Sequence, residues 1–91
     1  MVAYISYKVS GMPTIRRFAT CKISIYANDH LPPHFHIEGL GFRIIVAIET
    51  MMVRAGNARH IAKAAEAMKW AGLNVAFLKA EWDRINQRSG E

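Results

Sequence analysis

Two adjacent prolines, Pro32 and Pro33, interrupt a stretch in which apolar and polar residues alternate on both sides. Proline has no backbone N–H to donate to a sheet ladder, so the chain must turn there, between two strands. Before the turn, CKISIYA at 21–27 puts Cys21, Ile23 and Ile25 on one face and Lys22, Ser24 and Tyr26 on the other. After it, HFHIE at 34–38 puts Phe35 and Ile37 on one side and His34, His36 and Glu38 on the other. Asn28 and Asp29 mark the turn itself; Asp29 is a candidate Asx-turn residue, and the prolines are candidates for a cis bond.

Gly39 and Gly41 allow a second tight turn, and FRIIVAIE at 42–49 follows as a strand rich in β-branched residues. If Leu40 and Gly41 form a two-residue loop, Glu38 lies opposite Arg43, His36 opposite Ile45 and His34 opposite Ala47. That register predicts a Glu38–Arg43 ion pair. TMMVRAG at 50–56 continues the strand or forms another short one. Helical spacing then takes over. Asn57 is a candidate N-cap, Ile61, Ala64, Ala65 and Met68 share a face, and Gly72 is a candidate stop. A second helix starts near Val75, with Leu78, Trp82 and Ile85 as its apolar stripe and Glu81 at the stripe's edge. Trp82, Phe77 and Met68 are expected in the core.

Strands first and helices after predict an α+β fold: a small antiparallel sheet of 3–5 strands followed by two helices packed on one face. The second helix should cover the face carrying Ile23, Ile25, Phe35 and Ile37. A length of 91 residues makes one domain the expectation. Residues 1–11 read as an N-terminal extension or extra edge strand, with Met12 an alternative start, and residues 12–91 as a single α+β domain.

With 52% hydrophobic and 21% charged residues the chain is not of disordered composition. No apolar run reaches the roughly 20 residues of a transmembrane helix, and no signal peptide is recognisable. The single cysteine, Cys21, excludes an intrachain disulfide and reads as a small core residue. A cytoplasmic location without membrane contact is the expectation. Net charge is +5, and residues 1–27 carry Lys8, Arg16, Arg17 and Lys22 with no acid. Such a surface suits nucleic acid or an acidic protein.

Three of the four histidines, His30, His34 and His36, fall within seven positions, flanked by Asp29 and Glu38. Histidines at i and i+2 of a strand stand about 6.5–7 Å apart at Cα, so both imidazoles reach one ion. Asp29, His30, His34, His36 and Glu38 are therefore candidate ligands for a divalent metal such as zinc, iron, nickel or manganese. Without metal, a histidine serves as general acid or base near neutral pH. The bland reading is a stiff turn with polar decoration. His60 stands apart and reads as solvated.

The block Asn28-Asp29-His30, then Pro32-Pro33-His34 and His36, together with MPTI at 12–15 and EWDRI at 81–85, resembles a family of small bacterial proteins known as domain of unknown function 4160. The resemblance runs over about residues 12–86 and includes Trp82. Residues 1–11 precede the usual family start, and TMMVRAGNARH at 50–60 is more apolar and basic than its counterpart in the family. The resemblance implies a two-gene bacterial module of toxin–antitoxin type, with a partner such as domain of unknown function 2442 encoded by the neighbouring gene.

Two function classes are open. One is a toxin-like hydrolase acting on RNA, with His30, His34 and His36 catalytic, Arg16, Arg17, Lys22 and Arg43 on phosphates, and Tyr26 stacked on a base. The other is a non-catalytic module, antitoxin or partner subunit, that docks a small protein through the same histidine face. A homodimer through an exposed sheet edge is a further candidate assembly. A helix-turn-helix DNA reader is weaker, because Glu81 and Asp83 occupy exposed positions of the second helix.

Overall fold

A computed structural model describes residues 13–86. The expected extension at 1–11, Met12 and the last five residues lie outside the described part. Five strands, β1 Thr14–Arg17, β2 Cys21–Ser24, β3 His34–Gly39, β4 Phe42–Ala47 and β5 Val53–Ala55, form one antiparallel sheet in the order β1-β2-β3-β4-β5. Each strand pairs with the next, as short connections favour. Leu40 and Gly41 make the two-residue β3–β4 turn, with Gly41 at φ +80° and Glu38 opposite Arg43 as expected. A Cβ at Gly39 would collide with the Phe42 ring and the Thr20 carbonyl, so glycine is required by close approach there.

Three helices come after the sheet, not two: α1 Ala58–Lys63, α2 Ala65–Leu73 and α3 Val75–Ile85. Asn57 caps α1 as expected, its side chain accepting from the Arg59 N–H. The extra break lies at Ala64, whose N–H is shared between the His60 and Ile61 carbonyls. Such tightening ends a helix in a 3₁₀-like turn and rotates the next helix about its axis. Ala65 consequently faces solvent, and Ala64, Ala67 and Ala71 form the buried small-residue face against the sheet. Gly72 is not the stop. It lies inside α2, and the chain turns at Asn74, whose side-chain amide donates to the Trp70 carbonyl.

One sheet face and the helices enclose the core: Ile23, Ile25, Phe35, Ile37, Ile44, Val46 and Ile48 against Ala64, Ala67, Ala71, Leu78 and Trp82. Cys21 is buried and Met68 packs on the core, but Phe77 is 47% exposed, its ring edge-on to Trp70. It falls off the stripe of Val75, Leu78, Trp82 and Ile85 by which α3 packs on the core. No described helix is long and apolar enough to cross a membrane.

Ile37 is central and fully buried, whereas Leu40 is 98% exposed at the turn. Ile37→Ala should cost about 2–5 kcal/mol, and Leu40→Ser no more than about 0.5 kcal/mol. Urea denaturation followed by circular dichroism measures both.

Candidate functional site

Alternation along β3 points Phe35 and Ile37 into the core and His34, His36 and Glu38 to the opposite face. Those histidines are nevertheless buried, at 4% and 6% exposure. The cover is the chain's own loop between β2 and β3. Asn28 takes φ 60°, a left-handed conformation asparagine tolerates, and the Leu31–Pro32 bond is cis. The loop turns back so that Asp29 meets both rings. The last helix holds it there. Asn86, at the end of α3, accepts from the Asp29 N–H at 3.0 Å and donates to the Tyr26 carbonyl at 3.0 Å. Trp82, one turn earlier, brings its ring within 5.2 Å of the His34 ring.

Asp29 Oδ2 lies 2.9 Å from His34 Nε2 and 3.4 Å from His36 Nε2. His34 Nδ1 is 2.8 Å from the Pro32 carbonyl, which holds the ring in plane. Asp29 Oδ1 accepts the His30 N–H at 2.9 Å. Burial pushes the Asp29 pKa up, but the His30 N–H and the contacts to His36 and His34 outweigh it, leaving the carboxyl below its ordinary value. For His36 burial dominates; with the charge of His34 it outweighs Asp29 and Glu38 and lowers the ring's pKa. His36 Nδ1 is buried without a hydrogen-bond partner.

Of the five candidate ligands, three converge: ligating atoms of Asp29, His34 and His36 all lie within 4.8 Å of one another. His30 stays outside, its side chain 82% exposed although its Nδ1 sits 3.1 Å from Asp29. Glu38 also stays outside. Its carboxylate accepts from Ser24 Oγ at 3.0 Å and from the Tyr26 hydroxyl at 2.6 Å. Those two bonds replace the expected ion pair with Arg43, and none joins them among the described residues. Tyr26 is thereby committed: its hydroxyl holds Glu38, its ring meets His36 edge-on at 4.8 Å, and burial followed by the Glu38 contact raises its pKa.

The site opens sideways. A cleft of about 450 Å³ is bounded by Tyr26, Asn28, Asp29, His36, Glu38 and Arg43. On the far side of His34, a second of about 320 Å³ is bounded by His30, Leu31, Pro32, Ile45 and Arg54. Cross-strand pairing aligns Arg17, Lys22, Glu38 and Arg43 in one row across β1 to β4. Three of the four expected phosphate-binding cations thus share the site's face. Arg16 does not. The register shift in β1 pairs it with the core residue Ile23, and its guanidinium lies 5.3 Å from both the Phe18 and Trp70 rings on the helix side. His60 is only partly exposed, its ring 5.3 Å from Phe42.

Sequence reasoning missed Asn86 and Arg54. Asn86 works through the loop 57 residues earlier, and no local pattern signals such a contact. Arg54 follows from a β4–β5 irregularity that alternation does not reveal. Ser24 was legible, since it shares the alternating face with Lys22 and Tyr26.

Residues 21–83 match the family model described as domain of unknown function (DUF4160). No curated protein and no solved structure matches the chain.

The lowered pKa values set the sign of the pH dependence. Protons bind the unfolded chain first as pH falls. The His36 contribution is complete above about pH 6.5, its unfolded value, and is lost as pH drops through the lowered folded value. The Asp29 contribution is lost in the same sense below about pH 3.8. With chelator present, the urea midpoint should fall between pH 7.5 and 5.5, and His36→Gln should flatten that fall.

Proposed function

The chain belongs to the domain of unknown function 4160 family, and on that premise we propose that it is a component of a bacterial toxin–antitoxin-type module, a toxin whose Asp29–His34–His36 centre acts on RNA. The carrying observation is the convergence of one carboxylate and two buried imidazoles beside a cleft that Arg43 also lines. The module assignment rests on the family resemblance and the chemistry on this cluster.

Each residue has a part in phosphodiester hydrolysis. Without metal, His36, its pKa lowered, is neutral at pH 7 and accepts a proton as general base. Asp29 and the Pro32 carbonyl orient His34 between them. Arg43 at the cleft, with Lys22 and Arg17 along the same row, neutralises backbone phosphates. Glu38 lies within that row and lines the same cleft, its carboxylate accepting from Ser24 and Tyr26. His30, exposed at the loop, borders the second cleft on the other side of His34.

The competing reading is a non-catalytic module, antitoxin or partner subunit, docking a small protein on the histidine face. In that reading the partner meets Leu31, 63% exposed, rather than the two buried rings.

Inducing the gene alone in a bacterial host should arrest growth with breakdown of cellular RNA. A double His34→Ala, His36→Ala variant at equal level should leave growth intact, and purified protein should lose at least about 100-fold in RNA cleavage. Equal arrest by both forms would remove the histidine centre from the activity. Normal growth under wild-type induction would remove the toxin reading and favour the partner-binding one.

A further inference from the structure

We infer that Asp29, His34 and His36 form a divalent transition-metal site, a two-imidazole, one-carboxylate set with open positions toward the cleft. The inference concerns the centre named above and rests on that reading only for what a bound ion would do; occupancy itself is measured without RNA.

Geometry is the first support. Ligands about 2.0–2.2 Å from one tetrahedral ion stand roughly 3.3–3.6 Å from each other. Asp29 Oδ2 and His36 Nε2 are 3.4 Å apart, and Asp29 Oδ2 and His34 Nε2 are 2.9 Å apart. All three ligating atoms lie within 4.8 Å of one another, so an ion between them requires the side chains to rotate toward that spacing.

The hydrogen count at His34 is the second. A carbonyl only accepts, so the Nδ1 facing Pro32 carries the hydrogen. In the neutral ring Nε2 is then a bare lone pair, and it points at a carboxylate oxygen. Two acceptors 2.9 Å apart need a positive charge beside them, a proton or a metal ion. A backbone carbonyl holding the distal N–H of an imidazole is also the outer arrangement that metal-bound histidines use. His36 Nε2 faces the same Asp29 oxygen at 3.4 Å and donates to it in the neutral ring, so a bound ion would take the place of that hydrogen.

Chemical class is set by the donors. Two nitrogens and one oxygen, without thiolate, suit zinc, iron, nickel or manganese more than copper(I). Three protein ligands leave at least one position for water or a phosphoryl oxygen, as in catalytic rather than structural sites. The cleft lined by Asp29, His36 and Arg43 is where that position would open. A bound ion there supplies Lewis acidity and an activated water. The five candidate ligands read from sequence thus reduce to three, because Ser24 and Tyr26 occupy Glu38 and His30 points to solvent.

The test uses the untagged full-length chain stripped with EDTA and titrated with Zn²⁺, Mn²⁺ and Co²⁺ by calorimetry. A parallel measurement tracks the thermal unfolding midpoint. One ion per chain should bind and raise the midpoint, and Co²⁺ should give visible bands of a nitrogen–oxygen site. Asp29→Asn and His34→Ala should each weaken binding by at least about 100-fold, while His30→Ala and His60→Ala stay within about threefold. Asp29→Asn preserves side-chain shape, so it decides the matter if His34→Ala fails to fold. No binding at about 0.1 mM ion, or binding untouched by Asp29→Asn, overturns the site. Metal bound as expected without action on RNA sinks the RNA reading and upholds the site. Cleavage of RNA by a chain that binds no ion overturns the site and leaves the RNA reading.

Discussion

Everything in this protein depends on the period-two alternation of β3 at the centre of the sheet. The same six residues supply the middle of the core through Phe35 and Ile37 and the middle of the polar site through His34, His36 and Glu38. With hydrogen-bonded neighbours on both sides, the strand cannot slip by one residue without putting imidazoles into the core and isoleucine onto the outer face. The histidines and the core residues thus share one strand, and each set pins the register of the other. Both histidines sit on a central strand, so the sheet fixes their backbone.

Covering the histidines is a separate physical problem. Burying polar rings is unfavourable unless their nitrogens are satisfied. The loop answers with the Asp29 carboxylate and the Pro32 carbonyl, and Asn86 holds the loop from the far end of the chain. One atom escapes this accounting. An unsatisfied buried nitrogen such as His36 Nδ1 costs on the order of 1–3 kcal/mol, so the cluster is not arranged for stability alone. That cost is among the physical reasons to regard the cluster as a site rather than as decoration of a turn.

Charge is sorted by the same topology. Arg17, Lys22 and Arg43 come from three strands yet line up because antiparallel pairing brings them into one row. Arg16, one residue away from Arg17, goes to the other side of the sheet and rests against Phe18 and Trp70. Neighbours along a strand belong to opposite faces, so a cluster of basic residues in sequence need not be a cluster in space. Phe77 and Leu73 remain exposed beside Trp70 on the helix layer, away from the histidine site.

Period-two and helical patterns determined β2, β3 and β4, their faces, the β3–β4 register and the Asn57 cap, because those features depend on residues close in the chain; β1 carried no such signal. The histidine block was equally visible in the sequence, and the residues matched by the family model span it. The helix break at Ala64, the fate of Glu38 and the exclusion of Arg16 were not. Each is settled by a partner elsewhere: the sheet beneath Ala64, Ser24 and Tyr26 beside Glu38, Trp70 against Arg16. The same holds for which acid joins the histidines. Asp29 and Glu38 flank them equally in the sequence, but only Asp29 is delivered to both imidazoles, because a loop held by Asn86 folds it over the strand. Local spacing determined which residues could meet, and long-range packing decided which of them do.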